Sequence, residues 1–135
     1  MKIEKILYES AVNQALERYP SGWGGAAAVR TESGKILTSV APEVKNESLS
    51  LCIEVGAYLE ANRINESVTH SLCLFRENEK SEFIILSPCG ICLERLNQWG
   101  GNVLVAITNP DNILMFKTIR ELMPHSWLSA FEGHF

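Results

Sequence analysis

The sequence predicts an α/β fold in which helices cover both faces of a mixed β-sheet. Three observations lead to this prediction: a first segment with apolar residues at helical intervals, short strand-like runs bounded by turn residues, and an interleaving of the two patterns along the chain. With 135 residues, the chain suits one domain over residues 1–135 and can bury a sizeable core. No internal repeat, low-complexity block or long linker divides it.

The N-terminal part of the chain predicts a helix followed by a β-hairpin. Apolar side chains between residues 2 and 18 recur at helical spacing, and the Tyr-Pro-Ser-Gly run at 19–22 ends the segment. Two apolar runs, 26–29 and 35–40, then flank a turn sequence in which Gly34 can adopt a positive φ.

The rest of the chain alternates between helical and strand-like patterns. The elements expected there are a loop over 42–50, a helix over 51–62, a strand over 68–75, a short apolar run over 83–86, a helix over 89–99, strands over 103–107 and 113–116, and a short helix from 118 to 122. The paired glycines at 100–101 end the helix over 89–99, and the proline at 124 ends the last helix.

Charge and composition exclude several classes of partner. The net charge is −4, and the basic residues are scattered along the sequence. The chain therefore has no basic stripe that could bind the phosphates of nucleic acid, and nucleic-acid binding is disfavoured. No apolar run approaches the roughly 18 residues that span a membrane. Residues 1–5 lack the features of a signal peptide, which predicts a cytoplasmic protein. Four cysteines in such a chain are better interpreted as thiols or metal ligands than as disulfides.

Three of the cysteines have the spacing of a zinc site. Cys89 and Cys92 open a predicted helix and therefore lie one turn apart on one face, where two thiolates can hold a tetrahedral ion at about 2.3 Å. Cys52 lies near the start of another predicted helix and can supply a third thiolate. Both helix N-termini favour ionised thiols. Three ligands leave a fourth position for water, which is typical of a catalytic Zn²⁺.

Glu54 has a chemical reason to follow Cys52 by two residues. In the first turn of a helix, a carboxylate at that spacing can swing into the cavity beside the metal, take a proton from the water there and pass it on. The alternative is a solvated helix carboxylate with no such role.

The cysteines also have alternative interpretations when each is taken alone. Cys52 lies in an apolar stretch, where a single cysteine is commonly a core residue. A thioredoxin-like redox use of Cys89 and Cys92 leaves Cys52 and Glu54 unexplained. Cys73 falls within a predicted strand and is interpreted as a core residue.

The histidines offer no metal-ligand spacing, and each is interpreted as a structural or surface residue: His70, His125 and His134.

With these motifs in order, the chain resembles the cytidine deaminase family, including the related blasticidin-S deaminases. Deaminases of this kind combine three His or Cys zinc ligands, a glutamate that is not a ligand, and Pro-Cys-x-x-Cys. Here a cysteine occupies the His position. The resemblance covers nearly the whole chain and is carried by Gly24-Gly25-Ala26-Ala27-Ala28-Val29, Ser33-Gly34-Lys35-Ile36-Leu37, Cys52-Ile53-Glu54, Ile85-Leu86-Ser87-Pro88-Cys89-Gly90-Ile91-Cys92 and Ile119-Arg120-Glu121-Leu122-Met123-Pro124.

The resemblance implies a three-layer α/β/α sandwich with a five-stranded mixed sheet, assembled as a homotetramer (or a homodimer) with active sites near subunit contacts. It also implies that hydroxide on zinc attacks C4 of a cytosine ring, that Glu54 protonates N3 and then the departing amine, and that ammonia leaves. The carbonyl of Ser87 would accept a hydrogen bond from the 4-amino group, and backbone near Ile53 would face the pyrimidine O2.

The positions that would contact the sugar and the base depart from the family pattern. The family's Asn-x-Glu, which binds ribose hydroxyls, corresponds to Ala41-Pro42-Glu43, so Glu43 is kept and the Asn is lost. A lost bond to a substrate hydroxyl can be expensive. Trp23 stands in the place of the base-stacking Phe and could still stack. Trp127 corresponds to a late aromatic residue of the family.

A charge that the family uses beside its metal is also missing. In cytidine deaminases an Arg follows Cys-x-Glu, whereas this chain has Val55 at that position. Blasticidin-S deaminases also lack that Arg. Three thiolates on Zn²⁺ carry a net charge of about −1 before hydroxide binds. We expect the two helix N-termini to compensate it; Arg95 is a poorer candidate because it is expected to face solvent.

Three function classes follow from these observations. The leading one is a zinc-dependent deaminase of free cytidine or deoxycytidine, with blasticidin S as the alternative substrate. A second is a zinc-stabilised binding module without turnover, which would need Cys73 as a fourth ligand. A third is a nucleic-acid editor acting on an exposed base, which the acidic balance and the short chain disfavour.

Overall fold

The computed structural model of the chain describes residues 2–132. Its helices and strands are, in chain order, α1 (Ile3–Arg18), β1 (Gly24–Thr31), β2 (Ile36–Ser39), α2 (Val55–Arg63), β3 (Val68–Arg76), β4 (Ile84–Ile85), α3 (Gly90–Asn97), β5 (Leu104–Ala106), β6 (Phe116–Thr118), α4 (Ile119–Leu122) and α5 (Ser129–Glu132), with a 3₁₀ turn at Glu47–Leu49. None of the helices in this part of the chain is long and apolar enough to cross a bilayer.

The strands form one mixed sheet, as predicted. Five of them lie in the order β2-β1-β3-β5-β6, and the two-residue strand β4 pairs with β3 beside that path. The β3–β5 pair is parallel and the other pairs are antiparallel. The β1–β2 hairpin has the predicted turn, in which Gly34 takes a φ of +93°. Along one side of β3, β5 pairs at His70 and Ser71, and β4 pairs further on, at Leu74 and Phe75.

Helices cover both faces of this sheet, which confirms the three-layer arrangement. Helix α1 packs on one face through Leu7, Ala11 and Ala15, which are fully buried. On the other face, α2 and α3 pack with a second group of buried residues that includes Val105 and Leu96. Side chains alternate between the faces of a strand, so successive residues of β3 serve the two cores in turn.

Helix α2 begins later than the predicted residue 51. The hydroxyl of Ser39 on β2 donates to the carbonyl oxygen of Ile53 at 2.7 Å, and the amide of Ala57 bonds to Glu54. Because a side chain from the sheet occupies the Ile53 carbonyl, the helical ladder starts after it. Cys52 therefore lies in the turn before α2 and not in the helix.

The last strand is also displaced from its predicted position at 113–116. Asn109 makes hydrogen bonds to both the amide and the carbonyl of Ile113, and Asn112 adopts a φ of +50°. These side chains hold residues 109–113 in a turn, so pairing with β5 resumes at Phe116. The apolar residues Ile113 and Leu114 lie exposed in this loop.

Candidate metal centre and the residues around it

The sulfurs of Cys52, Cys89 and Cys92 converge. Their Sγ atoms all lie within 4.8 Å of one another, and those of Cys52 and Cys89 are 3.4 Å apart. A tetrahedral ion with Zn–S bonds of about 2.3 Å requires sulfurs about 3.8 Å apart, so the donor set fits zinc. Within residues 2–132, no other group of three or more His, Cys, Asp or Glu side chains comes together in this way.

Helix α3 presents two of the sulfurs. Cys89 is its N-terminal capping residue, and Cys92 lies in its first turn, fully buried. Burial opposes ionisation of Cys89, but hydrogen bonds from the Cys92 amide, the Cys52 thiol and the Ile91 amide together lower the pKa of the Cys89 thiol. This helix N-terminus therefore favours a thiolate, as expected.

The other two thiols depend on a metal for their charge. Burial raises the pKa of Cys92 and the pKa of Cys52. The expectation that a helix N-terminus would ionise Cys52 is wrong, because burial and the contact with Cys89 raise the pKa of its thiol and no backbone amide within residues 2–132 opposes them. A bound divalent cation would supply the missing positive charge.

Glu54 lies beside these sulfurs in a nearly closed environment. Its residue is 5% exposed, so the interpretation as a solvated carboxylate is wrong. Burial raises the pKa of its carboxyl group, which the charge of Arg95 and the thiol of Cys73 lower in part. A raised carboxyl pKa suits a group that must both accept and return a proton near neutral pH.

Cys73 is buried on β3, as predicted. It faces Glu54, and its burial raises the pKa of its thiol well above the ordinary value. It does not belong to the group of three sulfurs, so the four-ligand arrangement of a purely structural site is not formed by the described residues.

Arg95 reaches the cluster from the last turn of α3. Its Nη1 donates to Cys92 Sγ at 3.6 Å, and the side chain is partly buried. Three residues along a helix return to the same face, so Arg95 contacts Cys92 as well as the open space beside α3, and the expectation that it faces solvent is confirmed only in part. Val55, at the first position of α2, is 6% exposed and packs in the core.

Two of the predicted substrate-binding residues meet over β1. A Cβ atom at Gly25 would lie 3.0 Å from Ile53 Cδ1 and 3.1 Å from the ring of Trp23. Trp23 is 46% exposed and packs edge-on against Tyr19. The absence of a side chain at Gly25 therefore lets an aliphatic and an aromatic side chain converge beside the turn that carries Cys52.

Ser87 is held in place by Thr108, a residue that the sequence did not single out. Its amide donates to Thr108 Oγ1 at 3.0 Å, and its Oγ accepts from the amide of Thr108 at 2.7 Å. Thr108 follows β5 and also donates to the carbonyl of Ile85. No local pattern marks Thr108, since its partner is 21 residues away.

The structure places the two remaining predicted substrate residues at the surface. Glu43 forms an ion pair with Arg18 at 2.6 Å, and its side chain is 74% exposed. Trp127 packs against Phe131 and, with Arg95 and Ile91, lines an open cavity of about 740 Å³ beside α3.

The histidines within the described residues stand apart from the sulfurs. The Nδ1 of His70 lies 2.9 Å from Thr69 Oγ1, and its ring packs on Phe116. His125 is exposed. Neither joins the cysteine group, and His134 lies outside the described residues.

An α/β/α sandwich with three metal-ligating side chains, a buried glutamate and Pro-Cys-x-x-Cys is typical of the zinc deaminases. No protein-family model matches the chain. Among solved structures, the cytidine deaminase from Bacillus anthracis is 52% identical, with a TM-score of 0.95 over 98% of this chain and 94% of that chain.

More distant structures share the fold. The cytidine deaminase from Mycobacterium leprae is 19% identical, with a TM-score of 0.72 over 93% of this chain and 100% of that chain. The enzyme from Burkholderia pseudomallei is 21% identical, with a TM-score of 0.72 over 94% of this chain and 100% of that chain. Because the chain is 52% identical to the Bacillus anthracis protein over 98% of its length, it belongs to the cytidine deaminase family.

Proposed function

We propose that this chain, acting as one catalytic domain over residues 1–135, is a zinc-dependent deaminase of free cytidine and deoxycytidine. The observation that carries the proposal is the convergence of three cysteine sulfurs beside the buried carboxyl group of Glu54. Membership of the cytidine deaminase family supports the same reaction. The net charge of −4 favours a small nucleoside over nucleic acid as the substrate.

Cys52, Cys89 and Cys92 would hold the metal. Zinc bound by these three thiolates would supply a water nucleophile at neutral pH. Glu54 would accept one proton from this water and deliver it to N3 of the cytosine ring. It would then take the second proton, from the hydroxyl group that has added to C4, and pass it to the 4-amino group. The C4–N bond breaks as the carbonyl forms, and ammonia leaves. The low exposure of Glu54 supports this role, because a water-excluded carboxyl group exchanges protons with the substrate rather than with solvent.

The base would lie between the residues that flank this centre. Trp23 supplies an apolar wall for stacking, and backbone beside Ile53 faces the pyrimidine O2. The Ser87 carbonyl accepts a hydrogen bond from the 4-amino group, and the paired bonds to Thr108 hold that residue in place. Glu43 would bind a sugar hydroxyl, and Trp127 would border the entrance.

Blasticidin S is the second candidate substrate. Two observations favour it: Ala41 cannot bond a sugar hydroxyl, and Glu43 is already engaged by Arg18. Both features weaken recognition of an ordinary ribose. A site that depends less on ribose can accept a cytosine ring on a modified sugar.

Turnover of cytidine, deoxycytidine and blasticidin S by the purified zinc protein, followed by loss of absorbance, tests the proposal. Glu54→Gln is the control: it should retain zinc and lose roughly 10²–10⁴-fold in rate. Full activity of that variant, or no turnover of any aminopyrimidine by the wild type with zinc bound, would refute the assignment.

We also propose that the chain assembles as a homotetramer in the cytoplasm. Several large apolar side chains are more than half exposed in the single chain: Leu49, Leu59, Ile91, Ile113, Trp127 and Phe131. Apolar exposure of this kind is typical of association surfaces. Light scattering on the zinc protein distinguishes a tetramer from the dimer that is the alternative.

A further inference from the structure

We propose that Arg95 supplies the positive charge that balances the three-thiolate metal site of this chain. The inference rests on the proposed function, because the charge to be balanced is that of a divalent ion with Cys52, Cys89 and Cys92. It assigns to Arg95 a positioning and charge-balancing role, without contact to the substrate.

The geometry of α3 carries this assignment. Arg95 follows Cys92 by three residues, and its Nη1 donates to Cys92 Sγ at 3.6 Å. Cys92 is fully buried. A guanidinium has a planar, delocalised charge that is weakly hydrated, so it suits a half-buried contact with an anionic sulfur better than an ammonium does.

A charge count shows why a cation is needed there. Three thiolates on a divalent ion carry a net charge of about −1, and a buried charge without a partner is costly. Glu54 adds a further acidic group beside the sulfurs. One guanidinium in contact with a ligand sulfur brings the metal, its sulfurs and Arg95 to about zero.

The other arginines are engaged elsewhere in the described part of the chain. Each donates to a partner outside the cluster: Arg18 to Glu43, Arg30 to Thr69, Arg63 to Glu60, Arg76 to the carbonyl of Tyr19, and Arg120 to Asn102. Position 55, which begins α2 beside the cluster, holds a buried valine. Arg95 is therefore the guanidinium that contacts the sulfurs.

A group that contacts a metal ligand contributes to metal affinity, and loss of such a group typically costs 10–100-fold. We expect Arg95→Met to lower zinc affinity by about this factor. Arg95→Lys keeps the positive charge but not the planar set of guanidinium N–H donors, so its zinc affinity should lie between those of Arg95→Met and the wild type. Arg120→Met is the matched control, since Arg120 bonds Asn102 at the surface, and it should leave zinc affinity unchanged.

The experiment is chelator competition on the zinc-loaded proteins, read as the zinc dissociation constant, with the thiolate-to-metal absorption band of the Co²⁺ forms as a second readout. A reduced affinity and a shifted band in Arg95→Met, partly restored in Arg95→Lys, support the inference. An Arg95→Met affinity within about twofold of the wild type, or no recovery in Arg95→Lys, overturns it.

Two further features keep this test decisive. Should Arg95→Met fail to fold, Arg95→Gln takes its place as an uncharged polar variant of similar length. Because the readout is metal affinity and not turnover, a wild-type protein that binds zinc but deaminates nothing would refute the proposed function without deciding the role of Arg95.

Discussion

Ser87 and Thr108 hold each other by two reciprocal hydrogen bonds, in which each backbone amide donates to the hydroxyl oxygen of the other residue. The pair joins the segment between β4 and α3 to the end of β5. Ser87 precedes Cys89 by two residues, so these bonds fix the chain where it enters the cluster of three cysteines.

Replacing Thr108 by valine tests the importance of this link. The variant loses the acceptor for the Ser87 amide and the donor to Ile85, while zinc should stay bound. A net hydrogen bond is worth about 1 kcal/mol, so we expect kcat/KM for cytidine to fall by about fivefold or more. Thr38→Val is the control, because that hydroxyl bonds Gln14 at the surface. Equal activity of the two variants would show that the Ser87 position does not depend on Thr108.

Gly25 should be intolerant of even one additional methyl group. In Gly25→Ala the new Cβ would lie 3.0 Å from Ile53 Cδ1 and 3.3 Å from the carbonyl oxygen of Leu74. Overpacking of this kind costs about 1–3 kcal/mol, and Ile53 must move away. We expect a raised KM for cytidine and a lower melting temperature. In Gly101→Ala the atoms nearest to the new Cβ belong to the flexible end of Arg120, so this control should change neither quantity. A normal KM in Gly25→Ala would contradict the prediction.

Glu43 should affect substrate choice far more than stability. Its ion pair with Arg18 is exposed on both sides, and such pairs contribute about 0–1 kcal/mol. We expect Glu43→Ala to lower kcat/KM for cytidine but not for 2′,3′-dideoxycytidine, with an unchanged melting temperature. Glu60→Ala removes another exposed ion pair, with Arg63, and serves as the control. A loss of equal size for both nucleosides would argue against a bond to the sugar.

The hairpin turn should contribute stability that is lost in acid. Hydrogen bonds from Ser33, Thr31 and Lys35 lower the pKa of Glu66 to about 2. Since this is below its value in the unfolded chain, about 4.3, the contribution is complete above about pH 5 and disappears as the pH falls towards 2.

Urea unfolding of the wild type and of Glu66→Gln at several pH values checks this sign. The wild type should be the more stable protein at pH 7, and the difference should shrink steadily below pH 5. Loss of zinc in acid affects both proteins alike and cancels in the comparison. A difference that stays constant from pH 7 to pH 3 would show that the charge of Glu66 is irrelevant to the turn.

The sequence predicted the elements whose signals are local. The apolar spacing of α1, the turn glycine at Gly34 and the two cysteines of α3 each act within a few residues, and the structure has them where the sequence indicates. The burial of Glu54 and the convergence of Cys52 with the other two sulfurs needed the motifs to be considered together, because each residue alone has an ordinary explanation.

The features that the sequence did not predict depend on contacts between distant segments. Helix α2 starts late because Ser39 occupies a carbonyl 14 residues further along the chain. The last strand is displaced because the side chain of Asn112 bonds the backbone of Phe83 and Ile85, far back in the chain, while Asn109 holds the turn locally. Arg95 was the exception, since its spacing from Cys92 already placed both on one helical face.

The Ser39–Ile53 bond ties the turn that carries Cys52 to β2, which lies at the outer edge of the sheet. Gly56 in α2 leaves no room for an additional methyl group there, because its Cβ would lie 2.9 Å from the Cβ of Ser39. Attempts to redesign this outer strand for solubility or for immobilisation on a support would therefore alter turnover, although the altered strand itself never touches a nucleoside.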